Sequence, residues 1–331
     1  MQFFELKIYD DELQNRQQFI DFLASCDPNV KVSLYIHEGA SLYQCGVMDI
    51  IIASGIAHNI TIDTGNEVES VNPATRHQRF PITKLSGSAF WHYAYRVYKQ
   101  YKFPHASTNS HHRMAYMIGR RNMDRLAIMY WLYKQPFDCL LSATQDSNWQ
   151  HISRADLDIW VDNRYSFEQW CKNFPVTSFD QLKQKDFYHY KNDQTEFGAE
   201  GVTGGFHYPQ YQALKFYHAF DVELIAETFV RGNAYYPTEK TIRPIMGNKP
   251  FLVYGPKYYL THLKSNGLQT FSDCWDESYD KYEGAERWVR MQHTITQIHA
   301  WSDVEWSKVM ERAKQVSQHN QQIFINESNN H

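Results

Sequence analysis

The sequence has no run of 18 consecutive apolar residues, so nothing in it reads as a membrane-spanning helix. Its opening, MQFFELKIYDDELQ, lacks the basic, apolar, small-residue order of a secretory signal, and the expectation is a soluble, cytoplasmic protein. Cysteine is sparse and scattered: Cys26, Cys45, Cys139, Cys171 and Cys274 form no CxxC pair. That spacing suggests neither a zinc site nor a disulfide framework and leaves reduced, mostly buried thiols as the expectation. The patterns GxxxxGK[ST], GxGxxG and GxSxG are missing too, which removes direct support for a P-loop NTPase, a dinucleotide-binding enzyme or a serine hydrolase.

Acidic residues are absent altogether from Ser70 to Met123, a stretch of 54 residues. The same stretch carries nine fixed positive charges, among them Arg76, Arg79, Lys84, Arg96, Arg113, Arg120 and Arg121. Trp91, Tyr93, Tyr95, Tyr98 and Tyr101 are interleaved with them. Cations mixed with flat rings suit phosphate contacts with stacking platforms, so this tract is a candidate polyanion surface. The alternative is a basic surface balanced by acids elsewhere, since the whole chain carries a net charge of only -4.

At 331 residues, with 43% hydrophobic and 21% charged side chains, the chain is long enough for two ordinary globular domains. Residues 30–39 (VKVSLYIHEG) form a short β-rich run, 46–56 read as a helix, and 59–66 (NITIDTGN) as a second strand. A basic, helix-like segment follows at 88–102, and then a polar break, FPHASTNSHH, at 103–112. After the break the order restarts, with a strand at 113–119, a helix at 120–135 and a strand at 137–143. Residues 144–210 show weak periodicity and read as an irregular insertion with short helices. Beyond them come a strand at 221–229, a helix starting at 238, a buried strand at 249–255, a helix at 256–267 closed by Gly267, and a largely helical stretch at 284–323. Strand and helix alternating at this spacing predict parallel α/β layers. The expected division is 1–107 and 108–331, two α/β units joined by one loop with a cleft between them, and a long C-terminal helical segment. Parallel sheets bind ligands beyond the carboxyl ends of their strands, so the chemistry is expected at that cleft.

One segment pairs an acid with a base where such a cleft would lie. In YYPTEKTIRP, residues 235–244, Glu239 and Lys240 follow a proline on the turn from loop to helix. Backbone N–H groups at a helix start and a nearby lysine favour phosphate oxygens, while a carboxylate suits the vicinal hydroxyls of a ribose. Read on spacing alone, the same pair also fits a helix first turn with Glu on the dipole and a solvated Lys.

The stretch from Ala226 to Gly255 resembles the nucleotide-binding signature of the fucosyltransferase-like glycosyltransferases. That signature is a strand ending in an acid, then Y-x-T-E-K, a helix, and an apolar strand with glycine. Glu227, Tyr236, Thr238, Glu239, Lys240 and Gly255 occupy the matching positions, with KPFLVYG standing as the apolar strand. Pro237, where the family often has Val, and Pro250 preceded by Lys249 are departures that remove no ligand group. A weaker match is residues 114–142, where arginines open a helix after a strand; by that resemblance Arg125, Arg120 or Arg121 meets a sugar-nucleotide diphosphate, a task suited to a guanidinium fork.

The resemblance covers less than a third of the chain. It implies the GT-B arrangement and a metal-independent, inverting transfer of sugar from a nucleoside diphosphate sugar, a co-substrate, with no other cofactor. Glu239 then binds ribose, Lys240 the diphosphate, and Tyr236 the nucleotide or the sugar. Such a transfer needs a general base. Glu38, at the end of one strand, is the first candidate and Asp63, at the equivalent place on the next, is the second. Each is equally a turn residue by position. The acceptor is either a glycan or a nucleic acid reached through Arg76, Arg79, Lys84 and Arg96; phage enzymes that glycosylate hydroxymethylated DNA bases resemble this architecture. Asp156 and Asp158 have the spacing of a metal-binding DxD, but SRADLDIW reads as a helix rather than a strand end, which argues against a metal there.

Overall fold

The structure, a computed structural model, describes residues 2–9, 12–36, 41–42, 45–56, 60–64, 82–84, 112–118, 123–144, 166, 187–190, 217–230, 232 and 234–329. It is a mixed α/β protein built on two parallel sheets.

The first sheet grows in one direction. After β1 (Gln2–Leu6) comes a small antiparallel ribbon, β2 (Ile8–Tyr9) and β3 (Glu12–Leu13), and then α1 (Arg16–Ser25). β4 (Val32–Ile36), α2 (Val47–Ala53), β5 (Ile60–Thr64) and β6 (Ile82–Lys84) follow, with the strands side by side in the order β1-β4-β5-β6. Right-handed crossovers that always step the same way leave both helices on one face. The core agrees: Phe19 and Leu23 of α1 and Val47, Met48, Ile50 and Ile51 of α2 are buried with Val32, Leu34, Ile60 and Ile62. The strand alternation supplies this face, since Phe4, Leu34 and Ile62 stand in one row across the sheet.

The second sheet reverses direction. β7 (His112–Ile118), α3 (Met123–Lys134), β8 (Cys139–Thr144) and β9 (Phe187–Tyr190) step one way; β10 (Phe220–Ala226), α4 (Glu239–Met246) and β11 (Phe251–Tyr254) step the other. The resulting order is β11-β10-β7-β8-β9, all parallel, with the switch point between β7 and β10. By the same handedness rule α3 and α4 lie on opposite faces. A sheet covered on both sides needs strands without alternation, and Met114 to Ile118 of β7 and all of β11 are buried.

Three further helices, α5 (Tyr259–Ser265), α6 (Gly284–Ala300) and α7 (Asp303–Asn329), complete the cover. α3 is buried without a break from Asp124 to Tyr130 because α6 lies against its outer side, with Trp131 and Trp288 in edge-to-face contact at 5.4 Å. The turn between α6 and α7 is tied to the start of β7: Arg113 donates to the carbonyls of Ile298 (3.1 Å) and Trp301 (2.6 Å) and pairs with Asp303. Arg113, one cation of the acid-free tract, is therefore a structural group. α7 then reaches the far end of α4, where Gln321 donates to the Met246 carbonyl.

Several expectations are corrected. The supposed irregular insertion contributes β9, which pairs in parallel with β8 and extends the sheet. The C-terminal segment is helical as expected, in two helices that meet at Trp301, whose backbone is extended. β1, α1 and β6 had no counterpart in the sequence pattern. Cys26, Cys45, Cys139 and Cys274 are buried and in no disulfide, in line with the expectation, while Cys171 lies outside the described residues. Among the described residues no helix is long and apolar enough to cross a membrane.

Candidate functional site

The carboxyl end of β10 lies at the switch point, where neighbouring connections diverge and leave a crevice. The YxTEK connection leads from that end of β10 into α4. α4 starts where it does because Thr238 is in extended conformation and its hydroxyl accepts from the Lys240 N–H at 3.3 Å, an N-cap. Pro244 denies the Lys240 carbonyl its usual i+4 donor, and the helix ends two residues later, ahead of Gly247 and the left-handed Asn248.

Glu227, the first residue after β10, organises this turn. It is 1% exposed, and its carboxylate accepts from the backbone N–H groups of Thr228 and Thr238, each at 3.3 Å, and from the Tyr259 hydroxyl at 2.8 Å. The hydroxyls of Thr238 and Thr241 donate to it as well. A carboxylate in a low-dielectric interior costs several kcal/mol unless its lone pairs are filled, and here five donors fill them. Burial together with the adjacent Glu227 charge holds the Tyr259 phenol well above its ordinary range, so it remains a donor. Arg125, on α3, is also buried, at 3% exposed, and its guanidinium donates to the Glu227 carbonyl at 3.1 Å.

Lys240 is half-buried, and its ammonium is held by the hydroxyls of Thr228 (3.0 Å) and Thr238 (3.4 Å). Both hydroxyls thus point their oxygens at Lys240, and Thr238 passes its proton side to Glu227. α4 itself is anchored to the sheet by a buried ion pair between Arg243 and Glu223 of β10, reinforced by the Tyr217 hydroxyl. The cation and the helix start are thereby fixed at the crevice, a combination that suits an anionic oxygen.

The same connection reaches the first sheet. Phe229 and Ala234 are buried in the first core, and Tyr236 packs against it, half-buried. One loop therefore ties the two cores together at the candidate site.

The structure brings together Glu227, Thr238, Lys240 and Arg125, all of them candidates from the sequence, while Tyr236 packs against the first core. Glu227 and Arg125 are placed as positioning groups: their burial sets them behind the loop. Glu239 opens α4, but its side chain lies outside the described residues, as do Glu38, Arg76, Arg79, Arg96, Arg120, Arg121, Asp156 and Asp158. Asp63 is the fourth residue of β5, in register with Tyr35 and Thr83, and Lys84 ends β6; their side chains are likewise not described. Thr228, Thr241 and Tyr259 were missed. Thr241 had a local signal, a hydroxyl three residues after the cap, whereas Tyr259 joins from a helix beyond the next strand, and no local pattern marks it.

No protein-family model matches this chain, and no curated protein matches it significantly.

Proposed function

We propose that this protein is a glycosyltransferase that moves a sugar from a nucleoside diphosphate sugar to a hydroxyl acceptor, with two Rossmann-like lobes facing a cleft in the GT-B manner. The observation that carries the reading is the Lys240 ammonium, held by Thr228 and Thr238 at the start of α4 and at the switch point of the second sheet. In this reading Lys240 and Arg120 or Arg121 neutralise the diphosphate, and Glu239 accepts from the ribose hydroxyls. Glu227 and Arg125 hold the turn in place from behind.

Departure of the diphosphate breaks its bond to the anomeric carbon while the acceptor hydroxyl attacks from the opposite face. Glu38, or Asp63, takes the acceptor proton. The acceptor is a hydroxymethylated DNA base or a glycan; a base within a duplex would have to be flipped out.

The test is thermal stabilisation by UDP, GDP, ADP, CDP and dTDP. A ligand at one hundred times its dissociation constant adds about 2.7 kcal/mol. Stabilisation by one of them, lost in Lys240→Ala, supports the reading; no stabilisation by any of them sinks it. The acid-free tract supports a second reading, a non-catalytic nucleic-acid-binding protein. That reading expects steeply salt-dependent DNA binding, unchanged in Glu239→Ala, with no response to nucleotides.

A further inference from the structure

The connection after β11 holds a residue that the fold alone does not explain. Tyr258 has φ 64° and ψ 19°, in the left-handed region where a bulky side chain is strained. Asn248 is also left-handed, but asparagine tolerates that region and tyrosine does not.

The strain is imposed from both sides. The Tyr258 N–H donates to the Asp280 carbonyl at 2.7 Å, and its own carbonyl accepts from His262 at 3.0 Å. Arg287, fully buried, donates to the Pro256 carbonyl at 3.0 Å and to the Val253 carbonyl at 3.2 Å, clamping the chain just ahead. Tyr258 does not cap α5 with its side chain; the Asp280 carboxylate does that, accepting from the N–H groups of Leu260 and Thr261. Nor does the ring fill the core: Tyr258 is 43% exposed, whereas Tyr259 beside it is completely buried. A glycine would satisfy this backbone better, so the ring is kept for something outside the core.

Its place suggests what. β11 runs parallel beside β10, so the β11–α5 connection leaves the same carboxyl edge of the sheet as the connection that carries Lys240. The two are joined by Tyr259, whose hydroxyl reaches Glu227 at 2.8 Å and Thr241 at 2.7 Å. The Lys257 ammonium lies against one part of the Tyr258 ring, 5.1 Å from the centroid, and the 43% exposure leaves the rest of the ring to solvent.

We infer that Tyr258 is the stacking platform for the nucleobase of the nucleoside diphosphate. The inference rests on the nucleotide-binding reading of the Lys240 site. Stacking accepts any base, so Tyr258 supplies affinity without choosing among them.

The test compares wild type, Tyr258→Gly, Tyr258→Asn and Tyr258→Phe by calorimetric titration and thermal unfolding. The probes are the nucleoside diphosphate that stabilises wild type most and inorganic pyrophosphate, which has no base. Tyr258→Gly and Tyr258→Asn are expected to melt roughly 2 °C higher as strain is relieved. They should bind the nucleoside diphosphate about tenfold more weakly and pyrophosphate unchanged, while Tyr258→Phe keeps both affinities. Unchanged nucleotide affinity in the glycine and asparagine variants overturns the inference alone. Equal loss of nucleotide and pyrophosphate also overturns it, because the site rather than the platform has then changed. Failure of wild type to bind any nucleoside diphosphate removes the underlying reading and this one with it.

Discussion

Around the first sheet the buried described residues are apolar almost throughout, with Ser41 the polar one in that part of the chain. Around the second, Glu223, Glu227, Arg243, Lys249, Asp280 and Arg287 are all buried. An apolar core accepts many packings at similar cost, whereas a buried charge is tolerated only with its partners in place. The charges of the second core are tied to particular tasks: Glu223 and Arg243 seat α4 on β10, Glu227 shapes the turn into α4, and Asp280 with Arg287 shapes the turn into α5. The region that carries the candidate site is the one where geometry is specified by polar groups.

Breaking that specification should cost most. Arg243→Ala leaves the Glu223 carboxylate buried without its cation and is expected to destabilise by about 4 kcal/mol in urea unfolding. Replacing both partners by Leu and Met should recover most of the loss; an equal loss in the double variant would mean the packing of Arg243, not its charge, is what matters.

A smaller effect is expected at Gly247. A Cβ there would drive into the Tyr217 ring that backs the same ion pair, so Gly247→Ala should lose about 2 kcal/mol. Combining it with Tyr217→Ala should restore part of the loss by making room, measured by thermal melting of the four proteins in the cycle.

The pH dependence distinguishes the two cores more finely. Burial pushes the Glu277 carboxyl up to about 7, with the Thr270 hydroxyl and the Phe271 N–H opposing it. The folded chain therefore binds a proton there that the unfolded chain releases at about 4.5. Its contribution is full below the unfolded pKa and is lost as pH rises toward 7. Glu277→Gln should flatten that decline and gain about 1 to 2 kcal/mol at pH ~8. Lys249 works in the opposite sense: burial pulls its ammonium down to about 8 from 10.5, so stability should climb between those values. A Lys249→Met variant that keeps the climb would assign it elsewhere.

The smallest change is expected in the first core. Ile51→Val removes one buried methylene from α2 and should cost about 1 kcal/mol, with no change in nucleotide response. A loss of nucleotide response would show that the first core also sets site geometry, through Phe229 and Ala234.

The alternation of strands and helices and the start of α4 are local, and hydrophobic period and the turn before the helix made them legible in the chain. β6 and β9, three and four residues long, are too short to show a period, and they are strands because neighbours offer them a ladder. The candidate site was legible as a motif, with Glu227, Tyr236, Thr238 and Lys240 named from it, but the same letters did not reveal which of them face outward. Only tertiary structure decided that Glu227 and Arg125 sit behind the turn, that Phe229 enters the other core, and that Tyr258 is held left-handed in the open. Each of those depends on groups far along the chain, Tyr259 for Glu227 and Asp280 for Tyr258, and a local pattern carries no information about contacts that form only when distant segments meet.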